Sequence, residues 1–194
     1  MLKPKPIKEA PIQIFSIYKI NDVIENQGRL YSHCISIFDP NENLFSLSEN
    51  HSFQKILTLK FHDISTRADM TKDMRPLPPN RRLIKKIVNF YSKTSDIASG
   101  YTIHCHAGVH RSVATGLIGF YLMRQNEKWA MNELLKIKAL PLPNKKMISL
   151  FDQMYDTNLT SVTEELYTRC RDFLESRIEI NRDDYLDELD VVEE

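Results

Sequence analysis

Between Tyr101 and Arg124 the chain changes its periodicity once, and abruptly. Tyr101-Thr102-Ile103-His104 is β-branched and aromatic and reads as a short buried strand. Ser112 to Arg124 reads as a mostly apolar helix in which Gly116 and Gly119 allow close packing. Only the seven residues Cys105 to Arg111 join the two. A strand that runs straight into a helix is a βα unit, and such units pack into parallel sheets with helices on their faces.

The rest of the chain extends this pattern. Ile12 to Ile20 reads as one strand, His33 to Phe38 as a second, closed by the turn residues Asp39-Pro40-Asn41-Glu42-Asn43, and Ile56 to Phe61 as a third. Asp63 to Pro79 has no period and three prolines near its end, so it is a long loop, and loops of that length are usually functional. Asn80 is placed to cap a helix whose apolar side is Leu83, Ile84, Ile87, Val88 and Tyr91. Trp129 to Ala139 is another helix, stopped by Pro141 and Pro143. Asn144 opens a further one, with Met147, Ile148, Phe151, Met154 and Tyr155 on one face. Val162, Leu166, Cys170, Phe173 and Leu174 define a last amphipathic helix. The expected fold is α/β: a central, mostly parallel sheet of about four strands flanked by helices, with the 105–111 loop between a strand and a helix. The expected organisation is a basic extension (1–11), one catalytic domain (12–158), a C-terminal helix (159–182) and an acidic tail (183–194).

At 194 residues one compact domain is expected, and 42% hydrophobic with 27% charged residues excludes wholesale disorder. No apolar run suggests a membrane span, and Met1 to Pro11, with three lysines and three prolines, lacks the features of a secretory signal. Three scattered cysteines, Cys34, Cys105 and Cys170, suit a reducing cytoplasmic compartment better than a disulfide framework. The net charge is zero but uneven. Residues 183–194 hold seven acidic side chains and no basic one, so residues 1–182 carry +7. A basic body steers anionic substrates towards it. No nucleic-acid partner is expected.

The joining loop reads Cys105-His106-Ala107-Gly108-Val109-His110-Arg111, with His104 before it and Ser112 after. A cysteine and an arginine six apart is weak evidence, arising by chance in roughly 17% of chains of this composition. The flanking His104, the central Gly108 and the following hydroxyl lower that to on the order of one in a hundred thousand. A loop between strand end and helix start can turn its amides inward as an anion nest, and the helix N-terminus adds partial positive charge. Gly108 permits a positive φ and leaves no side chain in the cradle. Arg111 offers a planar fork for two phosphate oxygens. Such a field favours a thiolate, which at Cys105 can attack phosphorus in line and form a thiophosphate. The chemistry is then positioning and charge stabilisation, and it needs no metal or other cofactor. Ser112 or Thr115 can hydrogen-bond the sulfur, and His104 can brace the loop from the strand side.

This segment resembles the signature of the cysteine-based protein tyrosine and dual-specificity phosphatases, His-Cys-x5-Arg-Ser/Thr, above all in its dual-specificity form with Ala-Gly-Val before the arginine. His110 stands where serine or glycine is usual, a departure expected to alter the pocket rim rather than the chemistry. Leu142-Pro143-Asn144 is similar to the Pro-Asn pair that opens a helix about forty residues after the cysteine in dual-specificity enzymes. Leu59-Lys60-Phe61-His62-Asp63-Ile64 resembles the strand before the general-acid loop of bacterial tyrosine-phosphatase-like proteins. The likeness covers residues 12 to 156 or so. It implies a phosphomonoester hydrolase in which Cys105 is the nucleophile. Residues His106, Ala107, Gly108, Val109, His110 and Arg111 would bind phosphate, and a loop aspartate would act as the acid. Asp63, Asp69 and Asp73 lie 42, 36 and 32 residues before Cys105, and Asp63 stands at the strand end where the resemblance places it.

Other readings compete. His104, Cys105, His106 and His110 put four potential metal ligands within seven residues, yet no second ligand pair follows at zinc-site spacing. Cys34 and Cys170 read as core residues, with Cys34 a candidate redox partner for Cys105. Asn144 serves equally as a simple helix cap. A phosphoprotein-binding module without turnover, or an enzyme for phosphoinositides or RNA 5′-phosphates, would use the same loop. Lipid-directed versions often carry lysines between cysteine and arginine, and here there are none. The expected partner is a phosphorylated protein or peptide, with a phosphoinositide as the alternative. The acidic tail and the lysine-, asparagine- and isoleucine-rich composition resemble proteins that intracellular bacteria inject into host cells, which adds export to the expectations. The tail could instead fold over the basic pocket as a phosphate mimic.

Overall fold

The computed structural model describes residues 3–26, 28–40, 47–49, 51–65, 76–139 and 141–168. Strands β1 (Ile12–Ser16), β2 (His33–Phe38), β3 (Lys55–Lys60) and β4 (Tyr101–Cys105) form one sheet in the order β1-β4-β2-β3, and every neighbouring pair is parallel. Helices α1 (Ile17–Glu25), α2 (Arg81–Thr94), α3 (Arg111–Arg124), α4 (Glu127–Ile137) and α5 (Lys145–Tyr155) follow. Residues 159–168 form the described part of a sixth helix, α6. None of the helices among the described residues is long and apolar enough to cross a membrane.

Side chains alternate across the sheet as strand geometry requires. Ile12, Ile14, Ile35, Ile37, Leu59, Tyr101 and Ile103 enter the main core, shared with α2, α3, α4, α5 and α6. Phe15, Cys34 and Phe38 face the other way, onto Ile17, Ile20 and Ile24 of α1. The sheet is thus covered thickly on one face and by α1 on the other. α3 is buried at every residue except Arg124. A helix with no polar face needs neighbours all round. β4 and β1 contact it on one side, and α2, α4 and α5 on the others. Its glycines permit this closeness: a Cβ on Gly119 would come within 2.6 Å of the Tyr91 ring, whose hydroxyl donates to Thr115 O at 3.2 Å.

The single strand expected over Ile12 to Ile20 is corrected: the extended run stops at Ser16 and Ile17–Glu25 is helical. β1 pairs with β4 only as far as Ser16 opposite Cys105, where β4 itself ends, so residues beyond Ser16 have no strand to pair with. Ser16 Oγ instead accepts from Lys19 N at 3.2 Å and caps a helix. Ile17 and Ile20, which suggested a strand, fall with Ile24 on one helical face. α4 starts two residues earlier than expected because Asn126 caps it through Trp129 N at 2.8 Å. The cap expected at Asn80 is in place, with Oδ1 accepting from Arg82 N and Leu83 N, and contributes about 1 kcal/mol.

Cys34 is buried on the α1 face, where burial pushes its thiol pKa up, while Cys105 belongs to the main core on the opposite face. That placement removes Cys34 as a redox partner for Cys105. The expected 63–79 loop has no regular structure in its described parts, and its base is pinched: His62 N donates to Leu77 O at 2.9 Å and Leu77 N to His62 Nδ1 at 3.0 Å. Asp69, Asp73, Cys170, the rest of the helix expected to 182 and the acidic tail lie outside the described residues.

Candidate active site

The carboxyl ends of all four strands meet at one edge of the sheet, the edge where open α/β folds place ligands. β4 is flanked there by β1 and β2, so Cys105 sits beside Ser16 on one side and near Asp39, just past β2, on the other. The loop 106–110 then turns into α3. Gly108 adopts φ 70°, and a Cβ on it would lie 2.6 Å from the backbone of Phe15 and Ser16. Glycine is needed here for its conformation and because the β1–α1 connection presses against the loop. Ile17 N donates to His106 O at 3.1 Å and joins α1 to the same loop.

Hydrogen bonding along this loop is one-sided. Carbonyl oxygens are used: His106 O accepts from Ile17 N, and His110 O accepts from Ala114 N and Asn144 N. The backbone N–H groups of residues 107 to 113 donate to nothing among the described residues. Arg111, Ser112 and Val113 are buried at 3%, 0% and 0% exposure, where an unpaired amide is costly. Seven consecutive free donors at a helix N-terminus form a surface suited to an oxyanion.

Cys105 is buried, and its Sγ lies 3.2 Å from Ser112 Oγ. Thr115, the other hydroxyl considered, donates to Arg111 O instead. Arg111 Nη1 donates to Asp39 Oδ1 at 2.8 Å and to Phe61 O at 2.7 Å, and Nη2 donates to Asp39 Oδ2 at 3.1 Å. Its Nε is buried with no acceptor among the described residues; Asp63 Oδ2 is 3.9 Å away.

Asp63 is held from two sides, by His110 Nδ1 donating to Oδ2 at 2.9 Å and by Asn144 Nδ2 donating to Oδ1 at 2.7 Å. Burial pulls its carboxyl pKa upward. The bonds from His110 and Asn144 and the charges of His110 and Arg111 outweigh this and hold it below the usual value. The bond to Asp63 raises the pKa of His110 against a smaller opposing effect of burial. His110 is therefore not confined to the rim, as expected from sequence, but reaches the candidate acid. Asn144 is more than a cap: it accepts from Met147 N at 3.0 Å, and its own N–H groups bond Asp63, Ile64 O and His110 O. His104 is fully buried, shares a 2.5 Å hydrogen bond with Ser36 Oγ and packs edge-on to Phe38. Burial, aided by the Arg111 charge, lowers its pKa to about 4, so it is neutral near pH 7. His106 packs edge-on to Tyr18 of α1 at 5.6 Å. The three histidines thus turn to three different partners, and no cluster of metal-ligand side chains occurs among the described residues.

The structure therefore brings Cys105, Arg111, Ser112, Asp63, His110 and Asn144 together. Sequence reading missed Asp39, taken only as a turn residue, and Tyr18. The available signal for Asp39 was its position at the carboxyl end of a buried strand in a parallel sheet.

No family model and no curated protein matches the chain by sequence. Solved structures do match in fold. The human tyrosine phosphatase-like serine/threonine/tyrosine-interacting protein superposes with a TM-score of 0.56 and 14% identity, over 77% of this chain and 95% of that one. A mouse protein described as a dual specificity phosphatase, complexed with zinc tungstate, gives 0.54 and 11% over 84% and 94%. Tk-PTP in its active form gives 0.50 and 12% over 80% and 99%.

Proposed function

The chain has the fold of the cysteine-based tyrosine and dual-specificity phosphatases, and from that premise we propose that it hydrolyses phosphomonoesters through a cysteinyl-phosphate intermediate. The run of seven unpaired amides beside Arg111 carries this reading, because it suits a tetrahedral oxyanion held over the Cys105 sulfur. Binding of tungstate, a tetrahedral oxyanion, by the mouse protein of similar fold is consistent with it.

In the proposed reaction the Cys105 thiolate attacks phosphorus in line. An S–P bond forms as the ester P–O bond breaks. Amides 107–113 and Arg111 stabilise the equatorial oxygens, and protonated Asp63 gives its proton to the leaving alkoxide or phenoxide. In the second step Asp63 carboxylate takes a proton from water as that water attacks phosphorus. The S–P bond breaks, inorganic phosphate forms, and the Ser112 hydroxyl donates to the departing thiolate from its place 3.2 Å from the sulfur. Asn144 keeps Asp63 against the loop during both steps. A phosphorylated protein or peptide is the proposed substrate class.

The test is turnover of p-nitrophenyl phosphate by the wild type and Cys105→Ser, with mass spectrometry of acid-quenched enzyme. The expected result is wild-type turnover, none in Cys105→Ser, and a phosphate adduct on Cys105. A second reading follows from the "interacting protein" among the similar folds: capture of phosphoproteins without hydrolysis. Phosphopeptide binding with no turnover between pH 5 and 8 selects that reading. Faster release of phosphate from phosphoinositides than from phosphopeptides reassigns the substrate class.

A further inference from the structure

A guanidinium has five N–H donors in one plane, and their directions are set. On Arg111 three of them are spent. The end-on pair, one hydrogen from each terminal nitrogen, goes to the two oxygens of Asp39 at 2.8 and 3.1 Å. The second hydrogen of Nη1 goes to Phe61 O at 2.7 Å. What is left is Nε–H and the second Nη2–H, which lie parallel on the same edge of the plane. That side-on pair is a bidentate fork for two oxygens of a phosphate. Its Nε is buried without an acceptor among the described residues, in a side chain only 4% exposed.

We propose that Asp39 is a positioning residue of the phosphate site: by gripping the end-on edge of Arg111 it locks the guanidinium so that only the side-on fork remains for an oxyanion. This deepens the hydrolase reading and rests on it for the identity of the anion.

The sheet makes the grip accurate. Phe38 pairs with Lys60 in the β2–β3 register, and Phe61 N continues the ladder by donating to Phe38 O at 3.1 Å. Asp39 and Phe61 are therefore adjacent positions just beyond two paired strands, and both residues that accept from Arg111, one through its carboxylate and one through its backbone carbonyl, are anchored by the sheet. Pro40 restrains Asp39 further by disfavouring helical backbone at the residue before it. The Phe61 ring lies under the guanidinium, with Cζ 5.9 Å from its centroid, and limits tilting out of plane. Arg111 is also the first residue of α3, so a rotated guanidinium would carry its charge away from the amides of its own helix start.

A residue that merely stabilised the fold would change the melting temperature and leave anion affinity alone. The experiment is therefore a double-mutant cycle on tungstate affinity by calorimetry, with Asp39→Asn, Arg111→Lys and the double variant, melting temperatures recorded alongside. Asn keeps the shape of Asp39 but cannot present two anionic acceptors. Lys keeps the charge of Arg111 but has no planar fork. The expected result is about tenfold weaker tungstate binding in Asp39→Asn. In the Arg111→Lys background the same change has no further effect, because there is no fork left to orient. Asp39→Asn with lowered melting temperature and unchanged tungstate affinity overturns the proposal, as does an equal loss in both backgrounds. Wild-type protein that binds tungstate yet never turns over p-nitrophenyl phosphate overturns the hydrolase reading alone, and the cycle still decides the role of Asp39.

Discussion

Asp39 and Asp63 follow neighbouring strands of the sheet, and both approach Arg111, but they are held differently. Asp39 gives both carboxylate oxygens to the guanidinium. Asp63 gives one oxygen to the His110 imidazole and the other to the Asn144 amide, and stays 3.9 Å from Arg111 Nε. A carboxylate whose two oxygens are committed to a permanently charged partner suits a structural hold. A carboxylate held by a titrating imidazole and a neutral amide can take up and release a proton. In the proposed mechanism the same side chain, at the same edge of the sheet, serves positioning in one place and proton transfer in the other, and the partners make the difference.

Asp63→Asn is the change with the largest expected effect on this contrast. It removes the proton donor and keeps the side-chain shape, so kcat should fall about 10²- to 10³-fold for poor leaving groups and less for p-nitrophenolate, with tungstate affinity nearly unchanged. Equal losses across a series of aryl and alkyl phosphates would show that Asp63 is not the acid.

Next is the pH dependence of stability. His104 has a pKa near 4 when folded against an ordinary value of 6.5, so the unfolded chain binds the extra proton between those pH values. Its contribution is fully present above pH 6.5 and is lost as pH falls towards 4, up to about 3 kcal/mol in total. Urea unfolding at a series of pH values should show this slope in the wild type and a flatter one in His104→Gln. Because the charge of Arg111 helps keep His104 neutral, the loss should extend to lower pH in Asp39→Asn, where that charge loses its counter-ion. A slope unaltered by either substitution would separate His104 from the pair.

The tenfold loss of tungstate affinity in Asp39→Asn comes third, and its counterpart is kinetic: because the charge of Arg111 also lowers the Asp63 pKa, the pH limb belonging to Asp63 should shift slightly downward in that variant, where that charge loses its counter-ion. His110→Ser should do the reverse. Removing the imidazole takes away the main influence that lowers the Asp63 pKa, so Asp63 stays protonated to higher pH and the basic limb of kcat/KM shifts upward. A pH–rate profile with that limb in place in His110→Ser would mean that the His110–Asp63 bond does not persist during turnover.

What could be read from the sequence was local. The strand-loop-helix at 101–124 stood out because cysteine, glycine and arginine at that spacing serve one chemical purpose between two periodic segments. Asn80 and Asn144 were legible as caps because capping acts over three residues. α1 was not legible, because Ile12 to Ile20 satisfies both periods and only the end of β4 decides where the strand must stop. The grip of Asp39 on Arg111 spans 72 residues and that of His110 on Asp63 spans 47, so neither leaves a local pattern. Both follow from strand order and register, which hydrophobic periodicity does not encode. Asp63 itself was favoured by resemblance, and its bonds to His110 and Asn144 join 63 to positions 47 and 81 residues away, again beyond any local pattern.

The most direct test of the central claim is a crystal structure of the protein soaked with tungstate. The expected density is a tetrahedral oxyanion above Cys105, its oxygens about 2.7–3.2 Å from amides within 107–113 and from Nε and Nη2 of Arg111, with Asp39 still on the end-on edge. Tungstate bound elsewhere, or those amides turned to acceptors within the protein, would contradict it.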